Sequence, residues 1–219
     1  HAFVESSRDL ARIFGRELSD VLSVVAREVR LEIRCADGVR PLRVVGREAD
    51  IVGQRAYASI NELYGSQEKY LLLELEVPAG RAGETRGVAT VDVAYTDTAS
   101  RAVDRLQGEA SVRYTASQQV VDRNADRKVL SSVVIQEATE ANDRAVQLRD
   151  EGRVEEAREL LLHNAETLRE SASRLAAPEL EAYGAAYEAD AQALEKGDWE
   201  AQRKKMRSLQ HANQTQQSY

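Results

Sequence analysis

Val29-Arg30-Leu31-Glu32-Ile33-Arg34-Cys35 alternates apolar and charged side chains one by one, and Ala36-Asp37-Gly38 follows with the composition of a tight turn. A period of two puts Val29, Leu31, Ile33 and Cys35 on one face of a strand and the charges on the other, the pattern of a half-buried strand. Asp-Gly then folds the chain back on itself. Further strand-like runs follow near Leu42 to Val45, Ala56 to Ile60, Lys69 to Val77, Arg86 to Tyr95 and Glu109 to Thr115. Gly53, Tyr64-Gly65-Ser66, Pro78-Ala79-Gly80 through Gly83, and Asp97-Thr98 separate them. Short strands at such intervals, without helices between them, predict an antiparallel β-sandwich or barrel, the sandwich being the expectation.

On the N-terminal side of this strand the period lengthens. Leu10, Ile13, Phe14, Leu18, Val21, Leu22 and Val25 recur at threes and fours, while Arg8, Arg12, Arg16 and Asp20 fall elsewhere. Ser6 or Ser7 can cap this segment, and Asp9 suits the positive end of a helix dipole. One amphipathic helix of about five turns is predicted, with Ala2-Phe3-Val4 before it as the stub of a strand. So wide an apolar stripe is rarely left in water by a soluble monomer. It is expected to dock within the chain, with self-association through this first helix as the second expectation. Phe14→Asp is then expected to lower the melting temperature or to break the oligomer.

On the C-terminal side, Gly and Pro almost vanish from Ala116 onward. Leu130, Val134, Ala138, Ala141, Ala145 and Leu148 keep one helical seam, and Asp150-Glu151-Gly152 ends it with a glycine fit for a left-handed cap. Val154, Ala157, Leu161, Ala165, Leu168, Ala172 and Leu175 mark a second helix, antiparallel to the first because the link is short. Pro178 opens a third, whose face is Leu180, Tyr183, Tyr187, Ala191 and Leu194. Gly197 ends it. Asp198 caps a fourth, carrying Trp199, Met206 and Leu209, and the stretch from Gln210 to Tyr219 is expected to fray. Gly152-Arg153-Val154-Glu155-Glu156-Ala157 is echoed by Gly197-Asp198-Trp199-Glu200-Ala201. Their separation exceeds the tetratricopeptide period of about 34 residues, so two helical hairpins are expected instead. The fold class is therefore α+β: an antiparallel β-sandwich over 28–116, preceded by one amphipathic helix in 1–27 and followed by an antiparallel tail of about four helices in 117–219.

Composition narrows the function classes. The chain has 219 residues and a net charge of −7. That balance opposes a nucleic-acid surface, where Lys and Arg must neutralise phosphates. No apolar run approaches the roughly 18 to 20 residues of a membrane span. The longest, Tyr70-Leu71-Leu72-Leu73, is strand-sized. His1-Ala2-Phe3-Val4-Glu5 has neither the basic nor the apolar region of a secretory signal and no initiator Met, so a processed or excised piece is expected. The single cysteine, Cys35, excludes an intramolecular disulfide and fits a reducing compartment.

Catalytic chemistry finds little support. His1, His163 and His211 are scattered, without a second ligand at zinc spacing. No Cys–His or Ser–His–acid set appears, and no cluster of oxygen ligands has the spacing of a Mg²⁺ or Ca²⁺ site. Cys35 shares the inward phase of its strand with Ile33, which suits a small core residue. Gly80-x-x-Gly83-x-x-x-Gly87 leads into a strand, whereas a phosphate-binding loop must open a helix. Glu155, Glu156 and Glu159 sit early in a helix, where they complement its dipole. Arg203-Lys204-Lys205 reads as a solvent face, or as a contact for an acidic partner or a lipid headgroup. No catalytic residue, metal ligand or cofactor is expected. Tyr183, Tyr187 and Trp199 remain as candidate partner-binding residues, since Tyr and Trp are enriched at binding hot spots. Their spacing equally suits packing between the third and fourth helices, on the stripe of Leu180 and Leu194.

Phe3-Val4-Glu5 and Asp9-Leu10-x-x-Ile13-Phe14-x-x-Glu17-Leu18 resemble the last strand and last helix of a von Willebrand factor A domain. The run Leu22-Ser23-Val24-Val25-Ala26-Arg27-Glu28-Val29-Arg30-Leu31 resembles the junction leading from such a domain into a downstream β-domain. Ile60-Asn61-Glu62-Leu63-Tyr64, Glu68 and Leu71-Leu72-Leu73-Glu74-Leu75-x-Val77-Pro78 resemble the middle of that β-domain. Gly152-Arg153-Val154-Glu155-Glu156-Ala157 and Gln217-Ser218-Tyr219 resemble its helical tail. The likeness runs along nearly the whole chain, most fully from Phe3 to Pro78, and similar regions occur in bacterial von Willebrand A proteins and in plant RING-finger proteins carrying that domain. The family's metal-dependent adhesion site begins with Asp-x-Ser-x-Ser. That motif does not occur here, and Asp97-Thr98-Ala99-Ser100 does not fit it, so no metal residue carries over. What the resemblance implies is a non-enzymatic protein-interaction or assembly region accompanying an A domain, its partner another protein or its own A domain. The alternative is a helical adaptor that binds a peptide or protein through its tail, with a hydrolase as the third class.

Overall fold

The computed structural model describes residues 24–194 and 198–216. The strand stub and most of the helix expected before Val24, with the expectation for Phe14, lie outside the described residues, as do Gly197 and Gln217-Ser218-Tyr219. Among the described residues strands come first and helices follow, and every strand pairing is antiparallel, so the fold is α+β. The chain divides between Asn124 and Ala125 into two compact units.

The first unit holds β1 (Val24–Cys35), β2 (Arg40–Val45), β3 (Asp50–Val52), β4 (Arg55–Tyr64), β5 (Leu72–Glu76), β6 (Thr85–Asp97) and β7 (Val103–Arg113), then the short helix α1 (Gln118–Asn124). One sheet has the order β3-β4-β1-β6-β7, and β2 pairs with β5 in a second. The alternation in β1 does what its period demands. Ile33 lies opposite Ala56 on one side and Val91 on the other, and Cys35 lies opposite Ala89. Ile33, Ala56 and Ala89 pack with Leu71 and Leu73, while Cys35, Val39 and Val88 pack with Leu73 and Leu75. Leu73 belongs to both clusters, so β5 forms the covering layer. That layer has two strands against five, and the sandwich is lopsided rather than closed.

Three departures from expectation have physical causes. β1 begins at Val24, inside the helical period that runs to Val25, because Val24 pairs with Tyr64 across the sheet; strand pairing overrides a local period. β3 is three residues long and too short to show a period. β7 begins at Val103, six residues before the expected start, since β6 offers it a partner from Thr96 to Thr85. The turn between β6 and β7 is closed by Asp97, whose Oδ1 accepts from the backbone N–H of Ala99 (3.0 Å) and Ser100 (2.7 Å). Those bonds, the Ser100 one first, hold its carboxyl below the usual range. Asp97 is thus a turn residue.

The second unit is α2 (Arg127–Asp150), α3 (Val154–Leu175), α4 (Pro178–Ala193) and α5 (Trp199–Thr215). Local chemistry sets the boundaries. Asp126 accepts from the N–H of Lys128 and Val129 at the start of α2, and Asp198 accepts from those of Glu200 and Ala201 at the start of α5. Gly152 takes φ +83° between α2 and α3, and Pro178 occupies the first turn of α4. The seam of α3 is buried from Ala157 to Leu175 and feeds two clusters. Leu168, Leu175, Leu180 and Tyr187 anchor one, and Val146, Leu161, Leu194 and Met206 anchor the other. Gly184 lets α4 approach α3 closely, for a Cβ there would stand 3.1 Å from the carbonyl oxygen of Ala165. The expected fraying from Gln210 is corrected: α5 runs on to Thr215, with Gln210 and Asn213 buried.

Candidate functional site

α2 carries Gln136, Thr139 and Asn142 three residues apart, so they form one stripe along the helix, and all three are buried. α5 meets that stripe with Met206, Gln210 and Asn213. Asn213 Nδ2 donates to Thr139 Oγ1 (2.9 Å), Gln210 Nε2 to Asn142 Oδ1 (2.6 Å) and Gln136 Nε2 to the carbonyl of Asn213 (2.9 Å). Arg207 adds an ion pair with Asp143, and Arg203 Nε donates to Asp150 Oδ2 at 2.9 Å. The last helix is therefore held by a polar ladder around the buried Met206, with Trp199 and Leu209 packed against the apolar clusters beside it. Buried polar groups matched in this way specify one register, because any other leaves them unpaired. Nothing in the sequence period singles the stripe out, since Gln, Thr and Asn at helical spacing look like a solvent face.

Each of the three aromatic candidates has a clear place. Tyr187 is wholly buried, and burial pushes its hydroxyl far above the ordinary tyrosine range. Tyr183 is half-buried, packs edge-to-face on Tyr187 with centroids 6.4 Å apart, and donates its hydroxyl to Asn213 Oδ1 at 2.9 Å. Trp199 is half-buried in the other cluster, where its indole N–H donates to Asp150 Oδ1 (3.0 Å) and the Arg149 guanidinium stands 5.1 Å from its ring centroid. The structure brings the two tyrosines together and leaves Trp199 apart from them.

A concavity does exist elsewhere. Val134, Glu137 and Ala141 of α2 and Leu160, His163 and Thr167 of α3 line a cleft of about 180 Å³. At its base Asn164 Nδ2 donates to the carbonyl of Ala138 at 2.8 Å. Pockets for drug-sized ligands run to roughly 300–1,000 Å³, so this cleft suits a side chain or two of a partner. Its mixed lining surrounds the Asn164 amide with apolar side chains and adds the Glu137 carboxylate and the His163 imidazole. Among the described residues, no group of three or more His, Cys, Asp or Glu could hold a metal ion, and no helix is long and apolar enough to cross a membrane. Cys35 is buried, and burial raises its thiol pKa, which disfavours the reactive thiolate.

Among the described residues, Asp190 of α4 is the one buried carboxylate of the second unit, and its burial outweighs its partners. Loss of hydration pushes its carboxyl above the ordinary range, against the pull of Lys205 and of the Gln202 and Asn142 amides. Gln202 Nε2 donates to its Oδ1 at 2.6 Å. A folded pKa above the unfolded one gives stability that is present below the unfolded value of about 3.9 and lost as pH rises through the folded value. Asp190→Asn keeps the acceptor for Gln202 and removes the charge. It is expected to raise the melting temperature at neutral pH and to leave it unchanged in acid below the carboxylate range. Calorimetry across pH checks this, and a lower melting temperature at neutral pH would show that Lys205 holds the charge at a net gain.

No family model and no curated protein matches the chain. Among solved structures it is similar to the von Willebrand factor type A from Catenulispora acidiphila, with 12% identity and a TM-score of 0.62 over 96% of this chain and 51% of that one. It is also similar, with 16% identity and a TM-score of 0.44, to the ArnB paralog VWA2 from Sulfolobus acidocaldarius, over 87% of this chain and 42% of that one. The chain thus shares its fold with a von Willebrand factor type A protein and spans about half the length of that structure.

Proposed function

We propose that this chain is a non-enzymatic interaction and assembly region that works beside a von Willebrand A domain, as the part following that domain in one polypeptide. The observation that carries this reading is the direction of its strands. An A domain rests on a parallel sheet, whereas every pairing among the described residues is antiparallel. The fold likeness also covers nearly all of this chain and only half of the longer structure. The resemblance of residues 3–18 to the last strand and helix of an A domain supports the same order. In this reading the β unit seats the A domain, since an antiparallel sheet can leave a face free for docking. Expressed as two polypeptides, the A domain of the parent protein and this chain are expected to co-elute as a one-to-one complex. Independent elution of the two would overturn the proposal.

The cleft between α2 and α3 favours a second reading, a helical adaptor that takes a side chain of a peptide partner between Leu160 and His163. Leu160→Glu, which puts a charge into that cleft, separates the two readings. An A-domain complex that survives this change leaves the cleft to a second partner. One that is lost puts the A domain's contact there.

A further inference from the structure

β7 is a long open edge. Among the described residues β6 is its only neighbour in the sheet, and β7 is exposed along almost all of its 11 residues. The opposite edge, β3, has only 3 residues. Backbone bonds at the two ends of the β6–β7 ladder fix which of its groups are free. Asp97 N donates to Ala102 O (2.9 Å) at one end, and at the other Tyr114 N donates to Glu84 O (2.9 Å) and Gly83 N to Tyr114 O (2.8 Å). Bonded residues alternate in an antiparallel ladder. The even-numbered residues of β7 therefore face β6, and the odd-numbered ones from Val103 to Arg113 turn their N–H and C=O groups outward. The register shift between Gly87 and Ala89 lies on β6 and leaves the alternation of β7 intact. Edges of this length are commonly blunted by proline or lysine. β7 has neither.

We infer that β7 is the interface of a two-fold dimer, in which β7 of a second copy pairs with it antiparallel about an axis through Gln107 and joins two five-stranded sheets into one. In that register outward-facing residues meet outward-facing residues. Gln107 lies opposite the partner's Gln107, Arg105 opposite the partner's Glu109, and Glu109 opposite the partner's Arg105. About ten backbone hydrogen bonds then form. Opposite charges directly across two strands stabilise the pair, and like charges oppose it. Sliding the strands to put Glu109 on the axis sets it against itself and Arg105 against Arg113, so the charge pattern selects the register centred on Gln107. Within one copy, and among the described residues, Arg105 and Glu109 have no ion-pair partner. Leu106, 58% exposed on the face that also carries Val91 and Val93, becomes the diagonal neighbour of the partner's Leu106. The interface is self-complementary and closes, leaving the joined sheet, among the described residues, with only its two short β3 edges, so dimers form rather than fibres.

Sedimentation equilibrium of the whole chain over a dilution series tests this. The expected mass at high concentration is twice the 24.3 kDa of the chain. Arg105→Glu sets glutamate against Glu109 twice per interface and is expected to return the mass to that of one chain. Adding Glu109→Arg exchanges the partners and is expected to restore the dimer. Gln107→Pro removes an outward N–H and spares the ladder to β6, so it should give a folded monomer. A chain that stays monomeric throughout overturns the inference, as does a dimer that survives Arg105→Glu or one broken by Phe14→Asp alone. Where Gln107→Pro unfolds the chain, the charge exchange decides, and a double variant that fails to restore the dimer overturns it.

Discussion

Leu161→Ala is expected to cost the second unit roughly 2 to 5 kcal/mol, the range for truncating a fully buried leucine. Leu161 has no exposed surface and sits among Ala145, Val146, Leu194 and Met206, so three helices besides its own line the space its side chain fills. Rigid helix backbones on every side restrict collapse into the hole, and the cavity term adds to the lost transfer energy. Urea unfolding followed by the helical circular dichroism signal measures the change, with the slope expected to hold while the midpoint falls. That signal isolates the helical unit, because a chain of two compact units need not unfold in one step. Val129→Ala on the same hairpin is the control: Val129 is 48% exposed, and its loss should stay within about 0.5 kcal/mol. A change of that small size at Leu161 would place it on the surface.

The contrast between Leu161 and its surroundings shows where sequence reading succeeds. The α3 seam is legible because its members repeat the helical period and, from Ala157 to Leu175, land in the core. Asp198, Pro178 and Gly152 are legible because capping depends on a few neighbouring residues. Gln136, Thr139 and Asn142 are not. Their burial depends on Gln210 and Asn213, about seventy residues downstream, and only that pairing turns an apparently solvated stripe into an interface. The same cause moved the expected fraying point, for a glutamine-rich end helix looks unsupported until its partner stripe is known. β7 was half hidden for the opposite reason. Exposed on both faces, it has no apolar alternation to display, and β6 alone makes it a strand. The aromatic candidates were legible as a helical stripe, but the assignment of Tyr187 to one cluster and Trp199 to another is set by how α4 and α5 pack.

Gly80→Ala is expected to destabilise the β unit by roughly 1 to 3 kcal/mol, the range for overpacking a filled site. Gly80 is not in the left-handed region, so its backbone would accept alanine. The obstacle is room. A Cβ at this position would lie 2.5 Å from Cδ2 and 2.6 Å from Cζ of Tyr114, closer than real side chains come. An aromatic ring can often swing aside, but this one is held at both ends. Its hydroxyl donates to the carbonyl of Pro78 at 2.7 Å, and its own N–H and C=O close the ladder against Glu84 and Gly83. Moving the ring gives up the hydroxyl bond, which on its own is worth about 0.5 to 1.5 kcal/mol, and Tyr114→Phe measures that part. The decisive experiment is a double-mutant cycle. Tyr114→Ala removes the ring and carries its own cost. On that background Gly80→Ala meets no obstacle, and because it narrows the unfolded ensemble it should be neutral or stabilising by about 0.4 to 1 kcal/mol. The two changes are thus expected to be strongly non-additive, as contacting residues are. Costs that add to within about 0.5 kcal/mol would mean that the ring is not what requires glycine at position 80, and that the strain lies in the turn itself.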